Sequence, residues 1–456
     1  MSLGIGLFSF NEFLVSTALP SAVRDTGGAA LMSWAVTVYL VPSIVGGSCA
    51  ASLKQRLGAR VALFLSGLVF LVGTLIASMA SSMTMILLGR AFQGAGDGVI
   101  AALCYALIPA LFPSVLIPRV FGVEALVWAS SAFGGPLVSG WVTQVLSWRA
   151  AFLMNVPLIA GFLVLVPLVA PRQAAADSRT LQAGGSAFFR LAGIAGGIMA
   201  VAVAAILPVM PARLALLAVA LAMLVWTIRA DRRSTATLFP ASMFQLSSRI
   251  GTTWWIILLM PLAQAVSGVY LVLGLQHVWS FRPASAGGIG AIMALSWSAF
   301  AFLVAGRPLW RRRMAGMGPA LNVVGLSGLL LALQSQWLAL VVVAQLVIGA
   351  GFGLSWATLS QRIMEGSEAG DRDKATALLP TVQSAGYAIG AAIAGLVANS
   401  AGLPHLLATG GSVVAPLSWA YGAAITIAAA AVLVGNRPKQ RTENPTHDSG
   451  ERTPAG

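Results

Sequence analysis

The sequence predicts an all-α membrane protein: two parallel six-helix bundles with two extra central transmembrane helices, 14 spans in all. Three observations carry that prediction. The chain of 456 residues is 58% hydrophobic and only 9% charged, where an average soluble domain carries about 25% charged residues. Uncharged stretches recur at 31–53, 61–89, 150–171, 191–212, 250–276, 283–306, 314–361, 375–404 and 406–436, and a bilayer-crossing helix needs roughly 20 predominantly apolar residues. A glycine-rich segment, GAGDG at 94–98, returns as GAGFG at 349–353, an offset of 255 residues.

The elements follow in order from apolar length and turn residues. The first span, 3–20, begins directly after Met1 and Ser2 with no basic region before it, so a cleaved signal peptide is not expected. Spans 31–53 and 60–80 flank a basic turn with Lys54, Arg56 and Arg60. Span 84–110 contains LGRAFQGAGDGVIAAL, which puts Arg90 and Asp97 inside an otherwise apolar run. Spans 119–143 and 149–170 open on Arg119 and Arg149. The segments 190–208 and 211–228 are too apolar to sit in water and are read as a central hairpin, although Arg213 shortens the second. A second set runs 250–275, 284–305, 317–334, 337–359, 375–398 and 411–434. The chain thus divides into a six-span bundle (1–170), linkers with the hairpin (171–249), a second six-span bundle (250–436) and a polar, Pro-rich tail (437–456), expected to be disordered and cytoplasmic.

The net charge of +14 is explained by where the charges lie. With a cytoplasmic N-terminus, 22 of the 27 Lys and Arg fall on the inside, only Arg24, Arg149, Arg213 and Arg282 fall outside, and Arg90 alone lies within a span. Cytoplasmic loops are biased in this way, so the basic balance needs no nucleic acid as partner. Both termini are expected in the cytoplasm, with the chain multi-pass in a bacterial inner membrane; Arg outnumbering Lys 24 to 3 fits a high-GC genome. Cys49 and Cys104 lie in apolar runs and suggest neither a disulfide framework nor a metal site. No cofactor is expected.

At the same offset of 255, Arg56 meets Arg311, Arg119 meets Lys374, Gly135 meets Gly390 and Gly140 meets Gly395. Four regions in register imply two parallel halves, an arrangement in which a small molecule binds between the halves near the membrane midplane.

Of thirteen carboxylates, only Glu12, Asp97 and Glu124 fall in spans. A charge at mid-membrane costs about 2.5–3.5 kcal/mol on insertion scales, so such groups face a bundle interior or a wet cavity. Arg90 and Asp97 are two helical turns apart, roughly 10 Å by helix rise, and meet only by long reach or through Gln93 and water. The repeat counterparts of Arg90, Asp97, Glu124 and Glu12 are Gln345, Phe352, Leu379 and Ser267, so buried charge is expected in the first half alone. Burial favours a neutral carboxyl and a nearby arginine favours the charged one. A site alternating between these surroundings loads and releases protons near neutral pH. The alternative is a static ion pair or polar clamp between helices, and for Glu124 a carboxylate reaching toward the headgroups.

The pairs Gly94 and Gly98, and Gly386 and Gly390, let helix backbones approach closely. In SSAFGGPLVSGW, Pro136 removes an internal helix bond, with Gly134, Gly135 and Gly140 beside it. Trp141, Trp148, Trp279 and Trp337 fall near span ends and read as an interfacial belt, whereas Trp254, Trp255, Trp297 and Trp356 lie deeper. Gln93, Gln264, Tyr270, Gln345, Trp356 and Gln383 are cavity candidates; together with Tyr387, the deep polar groups serve equally well as interhelical hydrogen bonds.

These segments resemble the major facilitator superfamily, and within it the fourteen-span drug:proton antiporter branch. STALPSAV (16–23) is similar to that branch's first-span motif, GRAFQGAGDG to the fourth-span motif, GGPLVSG (134–140) to the fifth-span antiporter motif and SWRAAFLMNVPL (147–158) to the segment after it. The resemblance implies the major facilitator fold, with spans one, four, nine and twelve lining a cavity. It implies Glu12, Arg90 and Asp97 around that cavity, Arg90 in proton coupling, and conformational roles for Arg56, Gly58, Arg60, Gly134, Gly135, Pro136 and Gly140. The chain departs from the pattern in Gln55, where the loop motif has aspartate, and in Asn11, where the first span has one, with Glu12 beside it. Asp97 stands where glycine is common and Ser139 replaces a glycine.

The expected function is secondary active transport: proton-coupled efflux of a small amphipathic or cationic compound by alternating access, by a monomer in the lipid bilayer. A proton symporter or facilitator of a polar metabolite is the alternative. A membrane transferase is disfavoured because His277, His405 and His447 lie in outer loops and the tail, and no loop exceeds about twenty residues.

Overall fold

Lipid offers no hydrogen-bond partner to a backbone, so an apolar chain crossing it closes its N–H and C=O groups within helices. The structure, a computed structural model, describes residues 1–113, 115–170, 184–234, 237, 239–305, 316–366 and 372–436. The tail 437–456 lies outside the described residues, as do Arg172, Arg179, Arg307 and Arg311 to Arg313.

Sixteen α-helices occur among the described residues. In chain order they are α1 (Ser2–Thr26), α2 (Trp34–Leu57), α3 (Ala59–Ser78), α4 (Met83–Leu111), α5 (Ile117–Val145), α6 (Trp148–Leu153), α7 (Asn155–Val169) and α8 (Gly184–Ala204). There follow α9 (Met210–Arg232), α10 (Arg249–Val278), α11 (Pro283–Ala305), α12 (Gly318–Ser335), α13 (Leu338–Gly366), α14 (Arg372–Ser400), α15 (Leu403–Thr409) and α16 (Val414–Gly435). No strand occurs among the described residues. Among the described residues, twelve crossings are long and apolar enough to span a membrane, with α6 and α7 counted as one. The expected count of fourteen also needs α5, which carries Arg119 and Glu124, and α8, which carries Arg190; neither is among the twelve.

Helix starts follow ordinary capping chemistry: Ser82, Ser147 and Ser248 accept from the backbone N–H of Met85, Ala150 and Gly251. Gly58 ends α2 and starts α3 at φ +78°, a backbone conformation favouring glycine. Arg60, two residues on, donates to the Ala170 carbonyl at 3.0 Å through Nε, tying the base of α3 to the end of α7, while Arg56 is exposed.

The repeat is visible in the helices. α4 and α13 have identical limits at the 255-residue offset, and so do α5 and α14. α4 packs on α2 and α3 as α13 packs on α11 and α12, and α1 packs on α5 as α10 packs on α14. The two sets meet along two seams, α5 on α11 and α2 on α14. The hairpin α8–α9 stands outside this pattern, with α8 against both α2 and α14.

Small residues set the helix spacing. A Cβ on Gly94 would fall on the Tyr39 carbonyl and one on Gly98 on the Ser43 carbonyl, so α4 lies backbone to backbone on α2. Gly349 and Gly353 meet the Met293 and Trp297 carbonyls in the same way. In α5, Gly135 faces Phe13 of α1, whereas Gly140 faces Pro283 and Ala284 of α11. The antiporter-like segment therefore contacts its own bundle on one face and the other set on the opposite face.

Two expectations are corrected. Trp148 is no interfacial residue: it is 2% exposed, and its indole N–H donates to Asp25 at 2.8 Å. Trp141, at 59% exposed, does face outward. Buried charge is also not confined to Glu12, Arg90, Asp97 and Glu124. Arg190 and Asp231, both read from the sequence as loop charges, are buried and form an ion pair at 2.6 Å between α8 and α9.

The packing predicts opposite outcomes for two glycines. Gly98→Val places side-chain atoms against a backbone that cannot rotate away, and overpacking of this kind costs about 1–3 kcal/mol. Gly134→Ala meets nothing within 4 Å and removes a helix-weakening glycine. Thermal unfolding of the detergent-solubilised chain should show a lowered Tm for Gly98→Val and an unchanged or raised Tm for Gly134→Ala.

Candidate functional site

The fourth helix carries the site because its glycines press it against α2 and so bring Arg90 and Asp97 under the side chains of α1 and α2. Arg90 is buried, and a buried guanidinium without partners is costly. Its Nε donates to the Ala35 carbonyl at 3.1 Å, and its Nη1 donates to Gln93 Oε1 at 2.9 Å and Asn11 Oδ1 at 3.3 Å. Its cationic face lies 4.0 Å from the centroid of the Tyr39 ring, a favourable cation–π placement. Gln93 donates on to Thr74 of α3 at 3.0 Å, and Asn155 of α7 donates to Asn11 at 3.1 Å. One arginine thus connects α1, α2, α3, α4 and α7.

Asp97 is fully buried and does not pair with Arg90 directly. Tyr39 stands between them: its hydroxyl donates to Asp97 Oδ2 at 2.7 Å while its ring faces the guanidinium. Asp97 Oδ1 and Asn11 Nδ2 lack a geometrically good hydrogen bond, although the two side chains are close enough to interact. The sequence reading placed Gln93 between the two charges and missed Tyr39, because a lone aromatic in an apolar span reads as packing until α2 is docked on α4.

Glu12 differs from both. It is half-buried near the middle of α1 and makes no hydrogen bond or ion pair among the described residues. It lies within electrostatic reach of Arg90, Asp97 and Tyr39 on its own side and of Tyr387 on α14. Phe8, one turn before it, and Phe13, its neighbour, both make edge contacts with Trp128 of α5, at 5.7 and 6.4 Å between ring centroids. A half-buried carboxylate within electrostatic reach of Arg90 on one side and Tyr387 on the other can accept a proton or a cationic group.

Glu124 is 2% exposed, with Oε1 accepting from Ser2 at 2.8 Å and Oε2 without a partner. It is buried against the start of α1. The other candidates scatter. Gln93 is buried between α3 and α4, bonded to Arg90 and Thr74. Tyr270 is buried beside Ser33 and Gly395, inside the α2–α14 seam. Gln264 is buried, donating to Met293 Sδ at 2.9 Å, and Gln345 is buried with Oε1 unpartnered. Trp356 joins Trp297 and Phe352 in an aromatic cluster with centroids 4.9–5.9 Å apart. Gln383 is half-buried, one turn before Tyr387.

The seams have a direction. Arg24 donates to Gln276 at 3.3 Å, Thr37 to the Ala388 carbonyl at 3.4 Å and Asn399 to the Ala30 carbonyl at 2.8 Å. The Thr37 bond reaches Ala388 near the middle of α14, whereas the Arg24 and Asn399 bonds, the Gly140 contact with Pro283 and the Gly395 contact with Ser33 lie toward the end where α1, α5, α10 and α14 close. This distal end is opposite to the end carrying Met1 and the close of α16.

Repeated helix sets meeting along two seams, with acids buried in the helices of the first set, form the architecture of a membrane transporter. The chain belongs to the Major Facilitator Superfamily, whose family description matches residues 1–310. A Mycobacterium tuberculosis protein named "Probable multidrug-efflux transporter" is 30% identical over 452 residues, covering 96% of this chain and 93% of the relative. A Bacillus subtilis "Multidrug transporter protein" is 32% identical over 146 residues, 32% of this chain and 27% of the relative. In fold, the chain is similar to a D-xylose–proton symporter, at TM-score 0.67 and 16% identity over 97% of each chain. It is similar also to an auto-inhibited peptide transporter of the POT family, at TM-score 0.67 and 14% identity over 99% of this chain and 98% of that one.

The hydrogen-bond geometry of Arg90 predicts that lysine cannot replace it. Arg90→Lys keeps the charge but loses the fork that reaches Ala35, Asn11 and Gln93 together, and each bond to a charged group contributes about 1.5–3 kcal/mol. Arg90→Lys should therefore lower the Tm of the purified chain nearly as far as Arg90→Ala.

Proposed function

We propose that the protein is a proton-coupled exporter of a small amphipathic or cationic compound, working by alternating access. The observation that carries this reading is Glu12: a half-buried carboxylate with no hydrogen-bond or ion-pair partner among the described residues, within electrostatic reach of the Arg90–Tyr39–Asp97 group and of Tyr387 on α14. In this mechanism Glu12 and Asp97 exchange protons for substrate, Arg90 holds the surrounding helices in register, and residues 1–170 and 250–436 rock as two bundles. The name of the mycobacterial relative supports efflux over uptake. The positive-inside distribution supports cytoplasmic termini and an inner-membrane location; twelve spans with a long central loop would preserve it, and the apolar character of 191–228 favours fourteen, with α5 and α8 crossing as well. The distal end is then the outer face, and the state with its seams closed is the inward-facing one. The protein works as a monomer in this account.

Reconstitution in vesicles tests the reading. An antiporter accumulates a fluorescent amphipathic cation in vesicles with an acidic lumen, relative to protein-free vesicles under the same gradient. A symporter accumulates its substrate only with the gradient reversed. Asp97→Asn and Glu12→Gln should each reduce gradient-driven accumulation at least tenfold, about 1.4 kcal/mol or more of lost coupling by the usual conversion. Wild-type accumulation in both mutants would remove the assignment of the proton site.

A further inference from the structure

The two seams are equivalent by the repeat but are not treated alike. The α2–α14 seam carries an additional layer that α5–α11 lacks among the described contacts: α8, which packs on both of its helices. At its distal end α8 is bonded to each side. The indole of Trp34, the first residue of α2, donates to the Ala202 carbonyl at 3.0 Å. Asn399, at the end of α14, donates to Ala205 at 3.2 Å and to Ala30 at 2.8 Å, so one amide joins the hairpin and both helix sets. Arg213 of α9 donates to Ser400 Oγ at 2.7 Å.

Further along, Ile198 of α8 packs in one buried cluster with Tyr39, Leu40 and Val41 of α2 and Ala388 of α14, with Tyr387 against its edge. Tyr39 bonds Asp97 and Tyr387 lies within electrostatic reach of Glu12, so α8 backs side chains that approach the site from both helix sets. The hairpin is itself held firmly. The Arg190–Asp231 pair closes its far end, and Asp231 Oδ2 accepts from the Phe239 N–H at 3.0 Å in the connection toward α10. Gly193 and Gly197 bring α8 directly onto Thr227 and Leu224 of α9. A preassembled two-helix unit bonded to both sides of one seam resists separation of those sides.

We propose that the α8–α9 hairpin is a clasp on the α2–α14 seam, holding the distal end closed and setting how often that end opens. The inference rests on the alternating-access reading above. Opening requires α8 to leave either Trp34 on α2 or Asn399 on α14, because one rigid helix cannot follow both. Interhelical hydrogen bonds in membranes average about 0.6 kcal/mol each, so losing the two made by Asn399 is worth roughly five- to tenfold in the open-to-closed ratio. Of that, the bond to the hairpin accounts for about threefold, and the bond to Ala30 acts across the seam directly.

The test uses the full chain in lipid nanodiscs, in a Cys49→Ser, Cys104→Ser background with spin labels at Met79→Cys and Thr409→Cys. Both positions are exposed at the distal end, one in each helix set. Electron–electron distance distributions are recorded over a range of pH. Asn399→Ala should raise the ratio of long to short distances about five- to tenfold, and Arg213→Ala, at the rim, should shift it in the same direction. Leu221→Ala, on the lipid-facing side of α9, should leave it within about twofold. If the parent populates both distances and Arg213→Ala leaves their ratio unchanged, the clasp is wrong and alternating access stands, whatever Asn399→Ala does, because Asn399 also bonds Ala30 across the seam directly. A parent that never populates the longer distance overturns alternating access and the clasp with it.

Discussion

A guanidinium cannot be left unpaired inside a helix bundle solvated by lipid, and the N-terminal helices are arranged around that constraint. Arg90 takes a backbone carbonyl from α2, amide oxygens from α1 and α4, and the face of a tyrosine. Through Gln93 and Asn11 the same network extends to α3 and α7. The close approach of α4 to α2, possible only with Gly94 and Gly98 at the contact, brings the Ala35 carbonyl and the Tyr39 ring within range. Tyr39 then has its hydroxyl directed at Asp97. Packing of small residues, pairing of the cation and placement of the acid are thus successive consequences of one helix contact.

Around this anchor the repeat supplies symmetry and the site breaks it. Helices at the 255-residue offset share limits and partners, yet Gln345 and Phe352 stand where Arg90 and Asp97 would be repeated. The second set presents aromatic and amide groups, such as the Trp297–Phe352–Trp356 cluster, in place of charge. Glu12 lies where charge on one side meets Tyr387 on the other. The central hairpin adds a second asymmetry by covering one seam and leaving its counterpart uncovered.

Much of the fold was legible in the sequence, because lipid imposes helices on any long apolar run and because the fixed offset exposed the duplication. Arg90, Asp97, Glu12 and Glu124 were legible for a related reason: charge within an apolar run is costly enough to need a purpose. Tyr39 was not, since its role depends on which helix faces it. The Arg190–Asp231 pair was also hidden. Both residues lie near the ends of apolar segments, 41 positions apart, where a charge reads as an ordinary loop residue. Asn399 gave no signal at all, because an amide near a helix end bonds to whatever backbone the fold brings there. The bond from Gln93 to Thr74 was likewise hidden, because it depends on which residue of α3 lies behind α4.

What unites these features is the claim that carboxyl groups between the helix sets change protonation as the protein works. Infrared difference spectroscopy on the reconstituted chain reads this most directly, by following the carbonyl stretch of protonated carboxyl groups across a pH step. The account predicts a band that rises and falls with pH in the parent and is lost when Glu12→Gln and Asp97→Asn are combined. A band that persists unchanged in the double mutant, or a parent with no pH-responsive carboxyl signal, would contradict it.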